Sequence, residues 1–494
     1  MKNTMNFFGM IALIAVIGFV MIACDFGDDD TKTTTKTVAV GTASGNLTEG
    51  TAGNVTYTVT TANIDNGSYT AAVANLPNGV TVNGQVTISN NSGTLTLSGN
   101  TTTTAGTTSN MTLTLDSATS AAFAITISGT STSATLIKTI SAGGAFSLAI
   151  DTDGGLYAWG ANASGQLGDG STTRRNSPTR IKPDTIFEQI ATGSAHSLAI
   201  DEDGGLWVWG RNDDGQLGDG TNGTGTNKTS PIQIKSGTKF IFVAAGNNNS
   251  FAIDEDGGLW AWGANGTTFG RLGNGNTTAQ NTPVAIQSDI EFVYVAASNT
   301  HTLAIDTDGD LWAWGGNNNG QHGNGSTTGR SAPAKVTLTI TFASVIAGDN
   351  HSHGIDTDGN LWAWGNPANG RLGNETTTGN VTSPVKIKDG TEFMSISAFG
   401  TSNTNHVLAV AVDGGLWAWG GNGSGRLGDG TTVQKNVPTA IKPDTKFVSV
   451  SAGEEFSLGI DEDGGMWAWG SNSSNQLGDG TTTTRQLPVS ITFP

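Results

Sequence analysis

The stretch DEDGGLWVWG, Asp201–Gly210, recurs along the chain with little change. Further copies stand at Asp151–Gly160, Asp254–Gly263, Asp306–Gly315, Asp356–Gly365, Ala411–Gly420 and Asp461–Gly470, making seven in all. All thirteen tryptophans of the 494-residue chain fall inside these segments. The last Trp of each copy is Trp159, Trp209, Trp262, Trp314, Trp364, Trp419 or Trp469, which sets a period of 50–55 residues. Self-similarity at such a period marks a repeat architecture, in which one unit cannot bury its apolar surface without neighbours.

Each copy sits within four short segments of strand character. First comes a run such as FEQIATG from Phe187 or FVSVSAG from Phe447. A second segment such as HSLAID from His196 leads through an Asp-Gly turn into LWVWG, and a Gly-rich loop then precedes a short strand such as PTRIK from Pro178. Four short strands in each of seven units predict a seven-bladed β-propeller over residues 137–494. Alternation along LWVWG puts Trp207 and Trp209 on one side and Leu206 and Val208 on the other. Both sides must be apolar, because a neighbouring blade covers each. The copies run to the end of the chain, so the ends are expected to meet, with Ile137–Ser141 a candidate to complete the last blade.

The loop after each hairpin reads WGANASGQLGDG (Trp159–Gly170), WGRNDDGQLGDG (Trp209–Gly220) and WGGNGSGRLGDG (Trp419–Gly430). With the preceding G-x-x-H-x-L-A pattern, it resembles the regulator of chromosome condensation repeat family, and the resemblance covers the seven copies. It implies the propeller fold. Eukaryotic members of that family exchange guanine nucleotide on a small nuclear GTPase and bind chromatin. Secreted bacterial β-lactamase inhibitors carry a similar propeller, and that resemblance implies binding of an exported protein through one face.

The D-x-D-G turns carry Asp153, Asp203, Asp256, Asp308, Asp358, Asp413 and Asp463 as a repeated position. A calcium loop needs further oxygen ligands downstream, whereas here Leu and Trp follow at once, and Ala411 removes one acid from the sixth copy. Asp-Gly is ordinary hairpin-turn chemistry, so these acids read as structural, as do the seven final tryptophans. His196, His301, His351 and His406 hold one position that Phe146, Asn249 and Phe456 take elsewhere, which fits a hydrogen-bonded loop histidine better than a metal ligand. Gly218–Gly223 matches G-x-G-x-x-G without the strand–turn–helix setting of a dinucleotide site. No catalytic, cofactor or metal set stands out. The sequence departs from its own repeat at Thr221–Thr229, Gly266–Phe269 and Phe399–Asn405, and such loops carry recognition when a rigid scaffold presents them.

Upstream, residues 1–24 join Lys2 to an apolar run, Phe7–Ala23, ending at Cys24, the one cysteine. This resembles a bacterial lipoprotein signal, implying lipidation at Cys24, export, and anchoring to the cell envelope with the membrane as a partner. Residues 25–37 read as a solvated tether. Over 38–130, short alternating segments separated by turns predict a small immunoglobulin-like β-sandwich, with Val55, Tyr57 and Val59 on one inner face and Leu95 and Leu97 on another strand. Residues 131–136 form a linker. The fold class is therefore all-β, a seven-bladed propeller preceded by a small sandwich.

The net charge of −18 arises from 41 acids against 23 bases, and the repeats carry most of the excess. Such a surface repels a phosphate backbone, so nucleic acid is not an expected partner. The reading that follows is a non-enzymatic envelope lipoprotein whose propeller binds another protein. A carbohydrate-binding or hydrolytic central funnel and exchange-factor activity are the alternatives.

Overall fold

Alternation of apolar and polar residues shapes both units into which the chain divides, Met1–Ser133 and Ala134–Pro494. The computed structural model describes residues 34–128, 135–399 and 406–494. The segment expected to be a lipoprotein signal, Cys24 and most of the expected tether lie outside the described residues, as do most of the expected linker and residues 400–405.

In the first unit, one sheet runs in the order Thr37–Ser44, Gly53–Ala62, Ser92–Gly99, Val80–Val82. A second sheet is built on Gly106–Leu115 and Phe123–Ser128, the latter pairing in parallel with Leu47–Thr48. Alternation in NVTYTVT buries Val55, Tyr57 and Val59, and these meet Leu95, Leu97, Met111 and Leu113 in one shared core. Tyr57 ties the sheets by lying edge-on to Phe123 and donating to the Ala124 carbonyl at 3.0 Å. The last tether residues belong to this unit: Thr37 opens a strand and Lys36 pairs with Asp116 at 2.6 Å.

The second unit is seven four-stranded antiparallel sheets, each a single uninterrupted stretch of chain. Blade 2 is representative, with strands Phe187–Thr192, His196–Asp201, Leu206–Gly210 and Lys228–Ile234. Ile137–Ala142 is the first strand of blade 1, paired with Phe146–Asp151. It does not complete the last blade, which supplies its own four strands from Phe447 to Ile491. The expectation of a shared closing blade is thus corrected. Each copy already holds four strand segments, so none is left to lend.

Closure instead uses the bonds found at every other seam. The indole of each final Trp donates to a loop carbonyl of the preceding blade, as Trp209 to Gln166 at 2.9 Å and Trp469 to Arg426 at 2.8 Å. Trp159 of blade 1 does the same to Gln476 of blade 7 at 2.9 Å, which makes seven blades a closed ring. All seven of these tryptophans are fully buried. Trp207 and Trp209 pack on blade 1, while Leu206 and Val208 pack on blade 3. The Gly of each Q-L-G segment is required by this contact. At Gly168, φ is +75° and a Cβ would lie 2.8 Å from the Trp209 indole nitrogen.

A second seam contact involves the first Trp of the pair. Lys182, Lys235, Lys388 and Lys442 each place an ammonium 3.8–4.4 Å from the ring centroid of the next blade's Trp. At the closing seam Tyr157 replaces that Trp, and Phe493 meets it edge-on at 5.1 Å.

The D-x-D-G hairpins and the connections between blades lie on one face of the ring, the turn face. The Gly-rich loops and the turns joining first to second strands lie on the other, the loop face.

Candidate functional site

Polar groups that could do chemistry are built into the repeat, and their partners show what each does. In the D-x-D-G turn the first Asp organises the hairpin. Asp201 accepts from the Asp203 and Gly205 amides at 3.1 and 2.6 Å and from the Trp207 indole at 2.7 Å. Asp254, Asp306, Asp356 and Asp461 repeat this set. The structural role read from sequence for Asp153, Asp203, Asp256, Asp308, Asp358 and Asp463 therefore belongs to the Asp two residues earlier, because only that carboxylate points back under the turn. Those six side chains are exposed. Asp413 is different: Ala411 removes the first acid, and Asp413 itself accepts from Gly415 at 2.9 Å. Asp201→Ala is expected to cost about 1–3 kcal/mol, since it leaves donors unpaired, and Asp203→Ala about 0.5 kcal/mol or less. Urea unfolding of the two variants checks this.

The histidines are strand residues rather than loop residues. His196, His301, His351 and His406 each open a second strand and are buried. His196 meets Ser250 of the next blade at 2.9 Å, and Ser250 donates to the Gln216 carbonyl at 2.8 Å. With its one proton so used, the serine accepts, so His196 Nε2 carries the hydrogen. His301–Ser352 and His406–Ser457 repeat the pair at 2.8 Å. His351 faces the blade in which Val407 takes the serine's position, and its two ring nitrogens have no hydrogen-bond partner among the described residues. His322 and His353 occupy positions that hold leucine in most other copies. Burial pushes His196 and His353 down to about 3 and His322 to about 4. No cluster of three or more His, Cys, Asp or Glu able to hold a metal ion occurs among the described residues.

On the loop face, the Asn of W-G-x-N was not singled out by sequence reasoning, although it stands in most copies. Asn162 is buried, donating to Asp169 and to the Ser171 and Thr173 carbonyls at 3.0–3.1 Å while accepting from the Leu167 amide at 3.0 Å. Burial works against the charge of Asp169, yet bonds from Ser171 and Arg175 hold its carboxyl below the usual range. Asp479 with Arg485 is the same arrangement in blade 7, at 2.7 Å. The inserted loop Thr221–Thr229 is pinned by Asn227, which accepts from the Asn212 amide at 2.9 Å. Phe269 of the second insertion lies against Gly329. Of Phe399–Asn405 only Phe399 is among the described residues, and it lines the central channel.

That channel is bounded mainly by Ala, Ser and Val of the inner strands, with Phe242 and Tyr294 tilted together at 5.0 Å. No carboxylate lines it among the described residues. The first Asp of the turn, His196, His301 and His406, and the loop Asn are thus spent on holding the blades, and the surfaces left to vary are the two faces.

Comparison with known proteins agrees with this architecture. The family profile described as RCC1-like domain matches residues 183–494, and regulator of chromosome condensation (RCC1) repeat profiles match residues 153–200 and 137–166. The chain is similar to the ultraviolet-B receptor UVR8 of Arabidopsis thaliana, 31% identical over 176 residues, which is 35% of this chain and 40% of that protein. It is also similar to the mitochondrial RCC1 domain-containing protein RUG3 of the same plant, 32% identical over 177 residues, 35% of this chain and 28% of that protein. The matches thus span less than half the length of these relatives. Among solved structures, yeast RCC1 (Prp20) bound by Kap60 superimposes with a TM-score of 0.61 at 24% identity, covering 73% of this chain and 85% of that one. Human WBSCR16 gives 0.61 at 21%, covering 69% and 94%. With the RCC1-like profile matching well over half its length, this chain belongs to the regulator of chromosome condensation repeat family.

Proposed function

We propose that this protein is a non-enzymatic cell-envelope lipoprotein whose propeller is a platform for binding another protein. The observation that carries the reading is the internal use of the repeat's chemistry: the first Asp of the turns, three of the strand-opening histidines and the loop Asn are committed to turns, seams and loops. What remains is a rigid ring presenting two varied faces, the usual arrangement of a recognition scaffold. A solved relative, yeast RCC1, has been crystallised with Kap60, and a second study of it concerns binding to Gsp1p and histones. These facts belong to that protein and support protein binding as the mode. Exchange-factor activity rests on the family alone. The funnel alternative lacks, in the described channel lining, the carboxylates that glycoside hydrolysis uses.

Lipidation at Cys24 would place the propeller outside the cytoplasm, with the segment that follows Cys24 as tether and the first unit as an immunoglobulin-like spacer. Incorporation of a labelled fatty acid, lost in Cys24→Ser, tests the anchor; unchanged labelling removes it. Cross-linking of the full chain in intact envelopes tests the platform. Specific adducts to one envelope protein are expected, and glycan-array binding with no protein adduct would overturn the reading.

A further inference from the structure

Every inner strand begins with a register break. In blade 3, Phe240 pairs with Asp254 and Phe242 with Ile253, so Ile241 is extra to the ladder. The same break lies between the first and third residues of the other six inner strands. A bulge re-aims the side chain it leaves unpaired, and here that side chain stands on the turn face beside the channel. Ile241 is 50% exposed, Val293 49%, Met394 53% and Val448 40%. The fold does not need these positions apolar, because blades 1 and 2 place Lys138 and Glu188 there as an ion pair. Four blades nonetheless keep a large hydrophobe in water.

The turns around this arc are acidic. The exposed second and third positions of the seven D-x-D-G turns hold ten carboxylates and no base. Ile241 shares one crevice with Glu188, Glu202, Asp203 and Glu255. Cations are present on this face too: Lys239 lines the same crevice, Lys446 is exposed, Lys138 and Lys335 are ion-paired to Glu188 and Asp310, Lys386 pairs with Asp389, and Lys182, Lys235, Lys388 and Lys442 lie over the seam tryptophans. The blade connections add Asp184, Asp289, Glu291, Asp389, Glu392 and Asp444, so acids remain in excess. Of the ten exposed large hydrophobic residues among those described, Leu136, Ile186 and Val412 join the four above on the turn face; Val433, Val437 and Leu487 belong to the loop and outer-strand segments of blades 6 and 7.

Building on the protein-binding reading, we propose that the turn face is the docking surface, and that its occupant is a cationic protein segment bearing an apolar side chain that seats on the arc of Ile241, Val293, Met394 and Val448. A second copy of this chain would meet like charge, at −18 net, and is a poor occupant. The acidic collar draws the partner in and the apolar arc selects among basic segments, the division of labour between rim charge and buried anchor found at protein interfaces.

The test uses the full chain and two short Arg/Lys-rich peptides that differ by one central Leu or Ala, read by fluorescence anisotropy. The Leu peptide is expected to bind about tenfold tighter or more. The double variant Ile241→Ser/Met394→Ser should abolish that difference while leaving the Ala peptide unchanged. Glu202→Gln/Glu255→Gln should weaken both peptides, and Val437→Ser should weaken neither. All substituted residues are exposed or at turn tips, and near-ultraviolet circular dichroism will verify the fold. Equal binding of the two peptides, or a Leu preference that survives the double variant, would overturn the proposal. An envelope protein that cross-links equally to the wild type and the double variant would overturn this face while leaving the platform reading standing.

Discussion

Acidification from about pH 7 to about pH 5 is expected to remove on the order of 10 kcal/mol of folding stability. All six histidines of the chain are buried in the propeller, and burial holds each well below its ordinary value. In the unfolded chain they titrate near 6.5, so below that pH the unfolded state binds protons that the folded state refuses. Their stabilising contribution is complete above the unfolded value and is lost as the pH falls toward the folded one. Each fully linked histidine gives a slope of about 1.4 kcal/mol per pH unit. The depressed aspartates, such as Asp169, Asp356 and Asp479, act in the same direction but only below the ordinary carboxylate range, so the two windows separate. Asp349, raised by burial, works in the opposite direction. Urea unfolding at several pH values reads the slope. His322→Leu/His353→Leu, which restores the repeat's own residue at both sites, should remove about a third of it. Stability that does not change between about pH 7 and pH 5 would refute the account.

Trp209→Ala is expected to cost about 3–5 kcal/mol, and Trp207→Ala about 1–3 kcal/mol, although the two differ by one turn of the same pleat. Trp209 is wholly enclosed by blade 1 and bonds to the Gln166 carbonyl, so truncation opens a cavity between blades. Trp207 is partly exposed, lying under Lys182 and bonded to Asp201 in its own blade. The same contrast should hold for Trp314 against Trp312. Equal losses at the two positions would mean that full enclosure and the bond to the Gln166 carbonyl add nothing beyond the partly exposed seam contact of Trp207.

Much of the ring was legible in the Trp period, because a large aromatic every 50–55 residues can be satisfied only by a neighbouring unit. Which side each residue of LWVWG faces followed from alternation. The acceptor for the indole was not legible, since it is a backbone carbonyl at Gln166 or Arg271, and a carbonyl has no side-chain signature. The second acid of D-x-D-G stands in all seven copies and the first in six, so repetition pointed to the exposed Asp203 rather than to the turn-forming Asp201. The histidines open segments such as HSLAID that alternation marks as strands, yet their polarity was read as that of a loop residue, because the serine that satisfies them lies on the next blade and leaves no local signal. Nothing in FIFVAAG announces that Ile241 is bulged outward; alternation would have buried it or paired it. The apolar arc therefore becomes visible only once the register is known.

Because each blade is one uninterrupted stretch, no strand is borrowed across the closing seam, and the ring has no privileged place to be opened. Its closing bond, Trp159 to Gln476, is the same bond as at the other six seams. Circular permutants of the propeller, joining the segment after Ile491 to the one before Ile137 and reopened between any two blades, should therefore fold to the same ring. By the same logic, duplicating or deleting one coding unit adds or removes a whole blade with its seam chemistry intact. New faces can then be assembled by exchanging blades, each bringing its own bulged side chain to the mouth of the channel.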